Sequence, residues 1–133
     1  MPPSAALSVL AQRSCMFTGV PDASYAVTAP PLIDWFWKAY APAGTNLADL
    51  RLSPLLAKDF TGLPPAFVLT AGYDPLRDEG RAYANRLIDA DVKTTYVNYP
   101  GTIHGFFSLT RFLQQGLKAN DEAAAVLAAH FGS

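Results

Sequence analysis

Two residues of this 133-residue chain have the type and setting that proton-transfer chemistry requires. Asp74 stands three residues after the apolar run Ala66-Phe-Val-Leu-Thr-Ala71, and His104 stands five after Thr94-Thr-Tyr-Val-Asn-Tyr99. A carboxylate hydrogen-bonded to an imidazole fixes its tautomer and stabilises the imidazolium formed when a proton is taken up. The histidine then works as a general base that activates a hydroxyl and later protonates the leaving group. Each residue also has an inert reading. An aspartate before proline is a common turn former, and a loop histidine commonly faces solvent. A metal site from Asp74, Asp78 and His104 would have few ligands and no compact spacing. The two residues are 30 positions apart, so only the fold can join them.

The elements around them are suited to that task. Ala66–Ala71 is a continuous apolar run, which predicts a strand covered on both faces. Thr94–Tyr99 is rich in β-branched and aromatic residues and predicts a second strand. Between them, Gly72 to Arg77 reads as a loop, and Asp78 is placed to cap a helix running to about Ala90. Glu79 lies near that helix's positive end, and Tyr83 and Leu87 sit four apart on its buried face. Pro100-Gly101 turns the chain. Two C-terminal helices are expected near Phe107–Gln115 and Asn120–Phe131. Strand–helix–strand–helix order implies a parallel sheet with right-handed crossovers. Ligand and catalytic groups of such sheets gather at the C-terminal strand ends, where Asp74 and His104 fall.

The earlier part of the chain is less informative. Ser4–Arg13 reads as a short helix, Cys15–Val20 as a buried strand, and Pro21–Pro30 as a loop. Pro31 opens a helix carrying Leu32, Ile33, Phe36, Trp37 and Tyr40, which Pro42 and Gly44 end. Trp35, Phe36 and Trp37 either belong to the core or line a substrate pocket. Cys15 reads as a small buried hydrophobe, and His130 as a solvated helix residue.

Composition narrows the class. Half the residues are hydrophobic, the net charge is −1, and Lys and Arg are scattered. That suits a packed core and gives no long-range field to recruit nucleic acid or an anionic membrane. One cysteine precludes an internal disulfide or a cysteine-rich zinc site. No apolar run reaches the ~20 residues that span a bilayer, and no basic-then-apolar leader opens the chain. A cytoplasmic protein is the expectation.

The wording around the pair is more specific than its spacing. Leu63-Pro-Pro-Ala-Phe-Val-Leu-Thr-Ala-Gly-Tyr-Asp-Pro-Leu-Arg-Asp-Glu-Gly80, then Tyr83-Ala84, then Tyr99-Pro-Gly-Thr-Ile-His-Gly-Phe106, resembles the hormone-sensitive-lipase-like (family IV) α/β-hydrolases. Asp34-Trp-Phe-Trp-Lys-Ala-Tyr40 and Ser53-Pro-Leu55 resemble the stretch before that family's acid-bearing strand, so the likeness runs from about Ser24 onward. It implies an α/β fold of parallel strands flanked by helices, with residues 1–133 forming the C-terminal portion of the domain. It further implies that Asp74 is the acid and His104 the base of a Ser-Asp-His triad, in the order serine, acid, histidine. Trp35, Phe36, Trp37 and Phe106 would face substrate, a short- to medium-chain acyl ester. No cofactor or metal is implied, and pairing of two copies through the strand at Thr94–Tyr99 is.

One departure stands out. The family's Gly-Asp-Ser-Ala-Gly-Gly elbow and His-Gly-Gly-Gly oxyanion stretch are both missing from the sequence. No serine has glycines two residues to either side, and Cys15 is flanked at those positions by Arg13 and Phe17. Nucleophile and oxyanion donors are therefore expected from outside this chain, which alone should not turn over. A rival reading is a non-catalytic remnant acting as a binding or assembly module. Its open strand edge near Cys15–Val20 or Ala66–Ala71 would invite pairing with another chain.

Overall fold

The computed structural model describes Trp35, residues 38–41 and residues 43–132. The helix at Ser4–Arg13, the strand at Cys15–Val20 and most of the Pro31 helix lie outside the described residues.

Two parallel strands form the described sheet: β1, Ala66–Tyr73, and β2, Thr94–Ile103. Helix α1, Arg77–Asp89, connects them, and helix α2, Gln114–Phe131, follows. Short 3₁₀ turns occupy Pro54–Leu56 and Phe106–Ser108. β1 and β2 run in simple register from Ala66 opposite Thr94 to Ala71 opposite Tyr99. The register then shifts, and Tyr73 pairs with Ile103, so β2 carries a bulge at Pro100-Gly101.

α1 lies on one face of the sheet. Leu87 is buried with Phe60 and Val92, and Val68 and Tyr83 pack around them. Small residues bring helix and strand close: Ala84 has no exposed surface, and a Cβ on Gly80 would stand 2.7 Å from Thr70 Cγ2. Opposite that face, Ala71, Tyr99, Phe106 and Ala119 form a second cluster, with Leu69 and Val97 against it. α2 meets this cluster through Gly116, Ala119 and Ala123, spaced three and four apart on one helical face.

Several expectations need correction. Both strands run past their expected ends, because each partner backbone supplies hydrogen bonds through segments that read as loops. β1 is half-buried for most of its length, with only Thr70 and Ala71 fully covered. Asp78 does not cap α1. The N-cap is Leu76, and Asp78 instead pairs with Arg77 at 3.0 Å and Arg81 at 3.3 Å. Those partners, Arg77 first, hold the Asp78 carboxyl below its ordinary range. The expected helix at Phe107–Gln115 is a 3₁₀ turn followed by further hydrogen-bonded turns. Gly105 enters this segment at φ 77°, and Ser108, Leu109 and Phe112 each donate to the carbonyl three residues back. A left-handed start favours such tight turns over an α-helix, and glycine takes that conformation without strain. α2 is then one continuous helix of 18 residues, with Gly116 in its first turn.

Candidate active site

The site forms where the two strands end. Asp74 follows β1 directly, and its carboxylate has two fixed partners. Oδ1 accepts the Leu76 backbone N–H at 2.8 Å, and Oδ2 meets His104 Nδ1 at 2.9 Å. The Asp74 carbonyl also accepts the Arg77 N–H at 3.1 Å. The aspartate thus builds the turn that delivers the chain into α1, while its other oxygen stays free for histidine. Arg77 Nη1 reaches back to the Gly72 carbonyl at 3.1 Å and ties the helix start to the strand end.

His104 follows β2, and what comes after it is held from α2. Asn120 Nδ2 donates to the Phe107 carbonyl and the Gly116 carbonyl, both at 2.8 Å. A Cβ on Gly116 would lie 2.6 Å from the Phe106 carbonyl, so helix and turn meet without a gap. Tyr99 packs against Phe106 with the rings tilted and their centroids 5.1 Å apart, and donates its hydroxyl to Glu122. Burial, then the bond to Glu122, pushes the Tyr99 hydroxyl up to about 12. It stays protonated, a donor locking β2 to α2.

Burial of the two partners is unequal, and the inequality suits the roles that the resemblance implies. The Asp74 side chain is 12% exposed and that of His104 39%. A sheltered carboxylate can orient an imidazole whose far edge remains accessible. With Nδ1 committed to Asp74, Nε2 is the nitrogen available for proton transfer. The hydrogen bond to Asp74 raises the His104 pKa above its ordinary value, burial opposes that rise, and the nearby negative charge adds to it. The folded chain therefore favours imidazolium. Stability from this source is fully present below the ordinary value of ~6.5 and fades as pH rises through the raised folded value.

An NMR titration of the His104 ring in this chain should give a midpoint above ~6.5. Asp74→Asn removes both raising influences and leaves burial, so the midpoint should drop below the ordinary value. An unmoved midpoint would show that something other than Asp74 sets it.

A cavity of about 310 Å³ opens beside the pair, with Asp74, His104, Leu69, Phe106, Pro54 and Leu55 among its walls. Phe67 and Leu69 from one face of β1 and Val68 and Thr70 from the other all border it, so it follows the edge of β1 that is not paired with β2 in the described sheet. Of the residues expected to meet substrate, Phe106 borders this cavity while only 2% exposed. Trp35 is 60% exposed and is not among the lining side chains. Phe36 and Trp37 lie outside the described residues. Its sequence position makes Glu79 a helix-start charge, yet it is 8% exposed and borders the cavity. The signal was present: Glu79, Tyr83 and Leu87 are each four apart and share the inward face of α1.

A family model described as alpha/beta hydrolase fold matches residues 6–108. The chain is 41% identical over 100 residues to the carboxylic ester hydrolase LipN of Mycobacterium tuberculosis (strain ATCC 25618 / H37Rv), covering 74% of this chain and 26% of LipN. It is 41% identical over 83 residues to an arylesterase of Saccharolobus solfataricus, covering 62% of this chain and 27% of that protein. Among solved structures it matches the ester-hydrolase EH1AB1 from the metagenome of Lake Arreo at 73% identity and TM-score 0.73, over 87% of this chain and 39% of that one. An esterase of Pyrobaculum calidifontis matches at 37% identity and TM-score 0.76, over 82% and 35%. The chain spans about a quarter of the length of the two curated relatives. Family model, relatives and solved structures agree with the Asp-Pro-Leu-Arg-Asp-Glu-Gly and His-Gly-Phe wording: the chain belongs to the alpha/beta hydrolase fold family and corresponds to a portion of its hormone-sensitive-lipase-like members.

Proposed function

We propose that this chain supplies the acid and the base of a carboxylic ester hydrolase acting on short- to medium-chain acyl esters. The observation that carries the reading is the 2.9 Å bond between His104 Nδ1 and Asp74 Oδ2 at the C-terminal ends of two parallel strands. The named activities of LipN and the arylesterase support it. His104 Nε2 takes the proton of a serine hydroxyl as that oxygen attacks the ester carbonyl, and Asp74 stabilises the resulting imidazolium. The proton passes to the departing alkoxide. Water then repeats the cycle on the acyl-enzyme, with His104 as base and then acid. The serine and the donors that hold the oxyanion come from residues outside this sequence, which contains neither motif.

The test compares hydrolysis of p-nitrophenyl acetate and butanoate by the complete protein and by this chain alone. The complete protein should turn over both esters and this chain neither. Turnover by this chain that His104→Ala abolishes would place a nucleophile within it and sink the division of labour. A complete protein inactive on every ester would favour the binding or assembly module.

A further inference from the structure

We propose that Asn120 is a positioning residue for His104: it holds the turn that follows the histidine against α2 and so sets where the imidazole stands. The inference rests on the esterase reading above. Asn120 lies in the interior of α2, and its side-chain nitrogen makes two hydrogen bonds. One goes to the Gly116 carbonyl of its own helix and the other to the Phe107 carbonyl, each at 2.8 Å. A side-chain amide has two N–H donors, and both are in use here. An oxygen in the same place would face two acceptors, so the amide has one workable orientation. The first bond fixes the amide's direction against its helix. The second delivers that direction to the turn, three residues beyond His104.

The turn needs an outside hold. It begins at Gly105, with φ at 77°, and glycine is the residue whose own backbone least restricts it to one conformation. The 3₁₀ turn at Phe106–Ser108 is three residues long, and turns of this kind have poorer hydrogen-bond geometry than an α-helix. The carbonyls of Gly105, Phe106 and Leu109 receive the backbone N–H groups of Ser108, Leu109 and Phe112, while that of Phe107 receives Asn120. Buried Phe106, against Tyr99, keeps the turn close to the sheet. Apolar burial is non-directional, however, and leaves the turn free to slide along α2. A hydrogen bond has a direction and fixes the register. Asparagine is otherwise a poor choice inside a helix, because its side chain competes for backbone groups. At this position that competition is what reaches the turn. Both bonds lie between α2 and the segment after His104, so neither depends on what covers the free edge of β1.

The test takes Asn120→Ala and Asn120→Leu in two settings. In this chain, an NMR titration of the His104 ring reads its bond to Asp74. In the complete protein, steady-state kinetics on p-nitrophenyl butanoate read the consequence. Both substitutions delete the donor without adding charge, and both are better helix formers than asparagine, so α2 should persist. Each should let the His104 midpoint fall toward its ordinary value. Each should also lower kcat by about tenfold to 10²-fold, as a misplaced catalytic group does, with KM held within about twofold. Val126→Gly is the control: Val126 is exposed on α2, and glycine there weakens the helix without touching the turn. It should leave both the midpoint and kcat unmoved. Asn120 variants that fold and keep the wild-type midpoint and kcat overturn the inference alone. Variants that lose stability as Val126→Gly does, with the midpoint unmoved, overturn it in favour of a packing role. A raised KM with unchanged kcat overturns it as well. A wild type inactive on the ester overturns the esterase reading, and the midpoints in this chain then still decide whether Asn120 holds His104.

Discussion

If the complete protein is the proposed esterase, Asp74→Asn should lower its kcat by about 10⁴-fold with little change in KM, the pattern of a group that acts only in the transition state. The geometry says why an almost isosteric change costs so much. Asp74 Oδ1 accepts the Leu76 N–H at 2.8 Å, and in asparagine only the amide oxygen can keep that bond. The amide nitrogen is then left facing His104 Nδ1, where Oδ2 now sits 2.9 Å away. An NH₂ there donates to Nδ1 and drives the ring proton onto Nε2, so the histidine presents a proton to the serine instead of a lone pair. The turn into α1 survives while the base is in the wrong tautomer. His104→Ala removes the base altogether and should cost about 10⁶-fold. Steady-state kinetics on p-nitrophenyl butanoate check both. A loss below about tenfold for Asp74→Asn would mean that another group orients His104, since a true triad acid costs orders of magnitude more.

The pair could be read from the sequence because strand ends and wording coincide: an apolar run, then Asp-Pro-Leu-Arg-Asp-Glu-Gly, and a β-branched run, then His-Gly-Phe. The detail of its construction could not. Gly72 and Pro100-Gly101 look like breakers to any local rule, yet the parallel neighbour carries the strands through both, with the mismatch absorbed as a bulge. Asp78 has the residue type and place of a cap, but Asp74 reaches Leu76 first, and the helix starts one residue before Asp78. Gly116 lies between the two expected C-terminal helices, and glycine is poor in helix interiors, yet α2 runs through it. Here its missing Cβ is what lets α2 touch the Phe106 carbonyl, a tertiary contact no local preference encodes. Asn120 gave no signal, since its partner outside α2 is a backbone carbonyl 13 residues upstream.

Gly72→Val should lower both stability and activity, and it isolates what the bulge does for the site. A Cβ at Gly72 would stand 2.9 Å from Pro100 Cα, 3.1 Å from Gly101 N and 3.2 Å from the Tyr99 carbonyl oxygen. All three belong to the β2 backbone, so no rotamer change relieves the clash and the strands must part. They must do so where the register shifts, two residues before Asp74 and just before His104. Overpacking of this kind costs about 1–3 kcal/mol, measurable by denaturant unfolding of this chain. A displacement near 1 Å between catalytic partners can cost about 10²-fold in rate, which is the loss the proposed esterase should show. The His104 midpoint separates the two effects. If the strand ends part, the bond to Asp74 lengthens and the raised midpoint falls toward its ordinary value. Gly80→Ala is the control, because its Cβ would meet only the Thr70 methyl, at 2.7 Å on the face of β1 away from the Ala71–Tyr99 cluster. That substitution should destabilise without moving the midpoint. If Gly72→Val also left the midpoint unmoved, the Asp74–His104 distance would be set by the turn at Leu76 and the α2 contacts, and the close approach of the strands would serve packing alone.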